Sequence, residues 1–358
     1  MKYLKIYSKD YIQKLVRKRS GEIKLGDRVH LIDQENIEKG LQNSDVKFVL
    51  LGLPEDIGVR ANYGRGGTHT AWQPALTNLL NMQSNDYLSG KELLILGHID
   101  FDDLMEKANE TDSTNEKAIA ELRNLVSEID DRVTSVIKLI VSSGKIPIVV
   151  GGGHNNAYGN LKGAAQGLAA VQKIKSAKIN CINCDAHSDF RPLEGRHSGN
   201  GFSYAYEEGF LNKYSVVGLH QSYTSEFVFD KLKKYSDRIR FFLFEDIILH
   251  EQLSFREAVE NATDFIREAY YGIELDIDAI QNAPSSAKSS SGISANQARQ
   301  YVTWTAANSH VAYLHIAEAA PILSHIKTDN KTGKLIAYLI TDFIKAAGNS
   351  INSEKHKK

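Results

Sequence analysis

One junction constrains this chain more than any other. A long amphipathic segment stops at Ser143-Gly144-Lys145, and Ile146-Pro-Ile-Val-Val150 then runs straight into Gly151-Gly-Gly-His154. Before the stop, Ile119, Leu122, Val126, Ile129, Val133, Val136 and Ile140 recur every three or four residues. That spacing predicts a helix over 115–143 with one apolar face, ended by the glycine. Short apolar runs alternating with longer amphipathic segments are the pattern of a mostly parallel sheet covered by helices, an α/β fold. The same reading predicts strands at Phe48–Gly52, 93–97, Ile179–Cys184, 215–219, 241–244, 273–277 and 313–316, and a last helix over 331–347. A Gly-rich loop over 56–70 leads to a helix opened by Trp72-Gln-Pro74. No repeat or linker interrupts the chain. The expected organisation is an N-terminal extension over 1–45 and one domain over 46–350, with the Ser-rich stretch 285–291 as a loop inside it.

Composition narrows the setting. The chain has 358 residues, 43 basic and 44 acidic side chains, and a formal net charge of −1. No global field recruits nucleic acid or an anionic membrane. The run Lys355-His356-Lys357-Lys358 reads as a solvated tail. The N-terminus turns polar too early for a signal sequence, and no apolar run reaches the roughly eighteen residues of a membrane span. Cys181 and Cys184 are spaced for redox or zinc chemistry, but no second pair exists and both sit in an apolar stretch. They read as buried thiols in a reducing cytoplasm, the expected location.

Three predicted strand ends carry metal-ligand residue types: Gly151-Gly-Gly-His154, Asp185-Ala-His187-Ser-Asp189 and Asp276-Ile-Asp278. In extended chain, residues two apart face the same side, so each set can converge on one centre. The glycines before His154 let the backbone turn sharply. Four clustered carboxylates would raise one another's pKa; two divalent cations would neutralise them and ionise a bridging water near neutral pH. Carboxylates with two imidazoles and no thiolate suit Mn2+ better than structural zinc, with iron, nickel and cobalt as other fits. Taken singly, an Asp-x-Asp is usually a turn or cap; together and in this order the three sets point to metal. Neither 151–153 nor 64–67 has dinucleotide or P-loop spacing.

At these residues the sequence resembles the ureohydrolase family of arginase, agmatinase and formimidoylglutamase, whose motifs are Gly-Gly-x-His, Asp-x-His-x-Asp and Asp-x-Asp. The resemblance runs from about Phe48 to Ala347. It implies a three-layer α/β/α, arginase-like catalytic domain with two Mn2+ per subunit. His154, Asp185, Asp189 and Asp276 would hold one ion. Asp185, His187, Asp276 and Asp278 would hold the other, so Asp185 and Asp276 bridge. The implied activity is hydrolysis of a C–N bond in a small amidine or guanidine, by a hydroxide held between the ions. Glu318, in His315-Ile-Ala-Glu318, matches the family glutamate that pairs with the substrate's cationic group, or else caps the next helix. Homo-oligomers are common in the family, although no residue here derives one.

Within the family, Gly153 before His154 and Arg191 after the second motif resemble formimidoylglutamase; arginases and agmatinases usually carry Asp before that histidine. Arg191 suits a substrate carboxylate, or equally an Asp ligand. Ser198 and Asn200 match a loop that touches the substrate's amino-acid end. Arginase normally has a histidine, a proposed proton shuttle, where this chain has Phe202, and the motif does not give His197 that role. Arg60, Asn62 and Arg65 resemble a substrate-side loop, where they either bind substrate or pack the loop. After Asp278 the usual Asp-Pro turn is replaced by Ala279-Ile-Gln281-Asn282 and the Ser-rich run. The leading reading is formimidoylglutamase, converting formimidoylglutamate and water to glutamate and formamide in histidine degradation. The alternatives are arginase or another guanidino-acid hydrolase, and a catalytically silent metal-binding homologue.

Overall fold

The apolar runs pair into one twisted sheet. The computed structural model describes residues 3–111, 115–324 and 330–355; His356, Lys357 and Lys358 of the basic tail lie outside them. Among the described residues the strands are β1 (Leu4–Ile6), β2 (Phe48–Gly52), β3 (Leu93–Ile99), β4 (Ile146–Val150), β5 (Ile179–Cys184), β6 (Leu211–Leu219), β7 (Ile239–Leu243), β8 (Tyr271–Asp276) and β9 (Val311–Ala317). Their order across the sheet is β1-β3-β2-β4-β9-β8-β5-β6-β7. All pairings are parallel except β1 with β3.

The principal helices are α1 (Trp72–Leu80), α2 (Glu116–Ser142), α3 (Asn156–Ala170), α4 (Phe255–Ile266), α5 (Ala295–Ala306) and α6 (Lys331–Lys355). Successive strand residues point to opposite faces, so each apolar run feeds two cores. Phe48, Leu50, Ile148 and Val150 pack with α1, α4, α5 and α6 on one face. Val49, Leu51 and Val149 pack with α2 and α3 on the other. The result is the three-layer α/β/α arrangement. No helix among the described residues is long and apolar enough to cross a membrane.

The structure adds to the sequence reading at several points. Residues before 46 are built into the sheet: β1 pairs with β3, and Leu4, Tyr7, Ile12 and Leu25 are buried in its cores. Strand β6 begins at Leu211, earlier than its apolar core, because half-buried Asn212 and Lys213 hide its start. Helix α3 was not predicted, since its glycines blur the apolar face. Those glycines have a packing reason. A Cβ on Gly159 would sit 2.8 Å from Val133 Cβ, on Gly163 2.8 Å from Ile137 Cβ, and on Gly167 2.8 Å from Val141 Cβ. Three glycines four residues apart thus form a groove for three β-branched side chains of α2, and close packing offsets the helix-propensity cost of about 1 kcal/mol per glycine.

This groove predicts that Gly163→Leu destabilises the chain by about 2 kcal/mol or more through overpacking. Gly348→Ala in α6, with open space around the added carbon, should hold or raise stability. Urea denaturation midpoints check the pair; an unchanged midpoint for Gly163→Leu would refute the close-packing account.

Candidate metal centre

Strands β4, β9, β8 and β5 are neighbours at the middle of the sheet and run parallel. Their carboxyl ends therefore open on one edge, where ligands bind in α/β sheets. The residues that follow them are His154 after β4, Glu318 after β9, Asp276 and Asp278 at the end of β8, and Asp185, His187 and Asp189 after β5.

Turns, rather than extended alternation, bring these residues together. Strand β5 stops at Cys184, and Asp185 Oδ1 accepts the His187 backbone N–H at 2.7 Å. Asp189 has a left-handed backbone with φ of +47°. Strand β8 stops at Asp276, whose Oδ1 accepts the Asp278 N–H at 2.6 Å and turns the chain. The alternation expected across 273–278 fails for that reason, since a carboxylate at a strand end captures the next free N–H.

The geometry is tight. His154 Nδ1 lies 2.8 Å from Asp189 Oδ2 and 3.2 Å from both Asp185 Oδ2 and Asp276 Oδ2. His187 Nδ1 is 3.5 Å from Asp185 Oδ1, the other oxygen of the same carboxylate. Two ligand-like groups result: His154 with Asp185, Asp189 and Asp276, and His187 with Asp276 and Asp278. All are buried except His187, whose side chain is 31 % exposed. His154 Nδ1 is buried with no well-formed hydrogen bond, although three carboxylate oxygens face it. An unpartnered nitrogen aimed into converging carboxylates fits divalent metal ions, and the oxygen–imidazole donor set agrees.

Electrostatics tell the same story. Burial, then the Asp278 and Asp185 charges, push Asp276 well above the usual carboxylate range. Burial also raises Asp189 and Asp278. Burial and Asp278 push Glu318 up to about 8. Asp185 alone among these four aspartates is held low: burial opposes it, but bonds to His154 and His187 prevail. Burial would discharge the two imidazoles; the carboxylates instead raise His154 well above its ordinary value and His187 to about 10. Excess negative charge here recruits protons wherever cations are not supplied.

Glu318 sits at the wall of this cluster. Its backbone is left-handed, φ +63°, and its Oε1 accepts the His154 N–H at 2.7 Å. Ser286 Oγ donates to Glu318 Oε2 at 2.5 Å and lies 3.4 Å from Asp278 Oδ2. The Ser-rich loop is therefore part of the pocket.

Sequence reasoning missed a further group, Glu55. It is fully buried and accepts five N–H contacts, from the backbones of Ile57, Gly58 and Gly153 and the side chains of Asn155 and Asn156. It shapes the loop that presents His154. A Cβ on Gly152 (φ +74°) would strike Asn156 Nδ2, and one on Gly153 would lie 2.5 Å from Asn155 Oδ1 and 2.8 Å from Val59 Cγ2. An aspartate at 153 would require the Asn155 and Val59 side chains to shift.

Comparison with known proteins decides the family. The model of the arginase family matches residues 46–345. The chain belongs to the arginase family. Relatives include the formimidoylglutamase of Streptococcus gordonii, 29% identical over 305 residues (82% of this chain, 83% of that one), and that of Streptococcus pyogenes serotype M3, 28% identical over 302 residues (82% of each). Similar solved structures are a Trypanosoma cruzi formiminoglutamase with Mn2+, with TM-score 0.68, 17% identity and coverage of 91% of this chain and 98% of that one, and a formimidoylglutamase from Bacillus subtilis, with TM-score 0.69, 18% identity and coverage of 93% and 95%. The structural likenesses establish the fold.

On the substrate side, a cavity of about 600 Å³ opens over the arginase-family centre. Arg191, Ser198 and Asn62 line it together with His187, Asp278 and Glu318. Arg191 donates to Asn62 Oδ1 at 3.0 Å, and its side chain is 48 % exposed. Asn200 faces its own loop: its oxygen accepts from Arg196 and the His197 N–H, and its nitrogen donates to Gly195 and Pro192 carbonyls. Arg60 is engaged with Ala108 and Asn109, and Arg65 is exposed outside the cavity lining. Phe202 is buried edge-on to His154 at 5.3 Å between ring centres. His98 and Asp100 lie at the carboxyl end of β3, away from the cluster and beside edge strand β1, against Tyr7 and Lys5. Both cysteines are buried and free, and burial raises both thiols.

His197 is wholly buried, receiving the Gly199 N–H on Nδ1 at 3.1 Å with Nε2 3.1 Å from Glu194. Burial, then Arg123, Arg191 and Arg196, lower it to about 3. A depressed folded value means stability that is present above the unfolded pKa near 6.5 and is lost as pH falls toward 3. Lowering pH from 7 to 5 should cost about 2 kcal/mol through this residue. His197→Gln should flatten the pH dependence of the urea midpoint over that window; an unaltered slope would contradict the burial argument.

Proposed function

We propose that this chain is a formimidoylglutamase that uses two Mn2+ ions to hydrolyse the formimino C–N bond of formimidoylglutamate, giving glutamate and formamide. One observation carries the reading. A single cavity has buried metal-type donors and the acid Glu318 at its base, and the half-exposed cation Arg191 at its mouth. That polarity matches a substrate with a planar cationic head and a dicarboxylate tail. The formimidoylglutamase names of the relatives and the fit of Gly153 in its loop support the same choice.

His154, Asp185, Asp189 and Asp276 would hold one ion, and His187, Asp276, Asp278 and the second oxygen of Asp185 the other. Bound divalent ions supply neutralising charge and make water a nucleophile at neutral pH. The chain's own groups do the rest. Glu318 faces the formimino head, where a carboxylate can accept two parallel N–H bonds from a planar cation. Ser286 and the His154 N–H hold that carboxylate in place. Arg191, steadied by Asn62, meets a carboxylate of the tail, with Ser198 beside it. In the balance, water oxygen joins the formimino carbon and ends as the formamide carbonyl, the bond from that carbon to the glutamate nitrogen breaks, and both protons of the water pass to that nitrogen, which leaves as an ammonium.

The deciding experiment is a substrate panel on manganese-loaded protein: formimidoylglutamate, arginine, agmatine, guanidinobutyrate and guanidine, read separately for formamide and urea. Formamide from formimidoylglutamate alone is expected. Urea from a guanidino compound moves the activity to that substrate, and silence with metal bound overturns the reading in favour of a substrate outside the panel or a non-catalytic homologue. Glu318→Gln should keep its metal and lose about 10- to 100-fold in kcat/KM, the worth of one charged hydrogen-bonded contact. Unchanged turnover would remove Glu318 from the substrate site.

A further inference from the structure

On the far side of the His154 ring from the aspartates lies a second charged group that the proposed reaction leaves unused. Glu274 in β8 and Tyr313 and His315 in β9 are all fully buried. Glu274 and His315 are register partners across the two strands. Glu274 Oε2 is 2.6 Å from His315 Nδ1, and Oε1 accepts the Tyr313 hydroxyl at 2.8 Å. The other His315 nitrogen, Nε2, is 3.2 Å from the Gly151 carbonyl, in the loop that leads to His154. His154 Nε2 faces Glu274 Oε2 at 3.4 Å, a close charge contact that is not a closed hydrogen bond.

A carboxylate in the centre of an apolar strand is costly, and Ile273 and Leu275 on either side belong to the core. Packing gives no reason for Glu274. His154, Glu274 and His315 also resemble a ligand set of their own. However, the 2.6 Å contact already closes Glu274 on His315, and His154 Nδ1 faces the aspartates instead.

We propose that Glu274 is a positioning residue for the metal centre: it keeps the His154 proton on Nε2, so that the Nδ1 lone pair points at the space shared by Asp185, Asp189 and Asp276. A neutral imidazole carries one N–H and one lone pair, and a carboxylate beside one nitrogen settles which is which. It also makes the opposite nitrogen a stronger donor toward a cation. Tyr313 and His315 hold the Glu274 carboxylate, and His315 couples it to the backbone of the glycine loop. The proposal rests on the metal reading of the site, and the test below separates the two.

Chelator-treated protein is titrated with Mn2+ by calorimetry, as wild type, Glu274→Gln and Glu274→Asp, with circular dichroism to confirm folding. Wild type should take two ions. Glu274→Gln should bind one of them about 10- to 100-fold more weakly and leave the other unchanged, with partial recovery in Glu274→Asp. Equal affinities in a folded Glu274→Gln would overturn the positioning role, while a wild type that takes no ion would overturn the metal reading itself. If Glu274→Gln does not fold, histidine 15N NMR of the Zn2+-loaded wild type decides. His154 protonated at Nε2 with metal on Nδ1 is expected, and the reverse arrangement would refute the proposal.

Discussion

Everything in this molecule depends on holding like charges together. Four aspartates and Glu318 converge around two imidazoles in a space where burial alone would discharge them. Turns without a rigid base could not sustain such repulsion. The solution is architectural: the groups sit at the ends of four adjacent parallel strands, clamped between two apolar helix layers. The energy that crowds the carboxylates comes from the cores, and bound cations would relieve that crowding.

Much of this was legible in the sequence. The run Ile146–Val150 entering Gly151-Gly-Gly-His154 announced a buried strand with a ligand at its end, and β4 has those bounds. Helix α2 spans Glu116–Ser142, close to its periodicity. The six ligand residue types were readable because they cluster within short motifs, and the structure brings them together. What was not legible depended on distant partners. Glu55 and Glu274 looked like ordinary acids, since their donors come from other segments of the chain. Helix α3 hid because its glycines answer to α2 rather than to an amphipathic period. The turns at Asp185 and Asp276 depend on side chains accepting backbone N–H groups, which a period-two argument does not contain.

The pocket divides along the same line. Its base is built from strand ends and is fixed by buried contacts. Its mouth is built from loops, with Arg191 half exposed and the Ser-rich segment reaching in through Ser286. The buried base is thus held by the sheet, while the mouth depends on loops, the part of a scaffold that varies most readily. At the base, the Phe202 ring packs edge-on against His154.

The most direct test of the central claim is anomalous X-ray diffraction at the manganese edge from crystals grown with Mn2+. The account predicts two peaks at the carboxyl edge of the sheet, one among His154, Asp185, Asp189 and Asp276 and the other among Asp185, His187, Asp276 and Asp278. No peak there under saturating Mn2+, or density elsewhere in the chain, would contradict it.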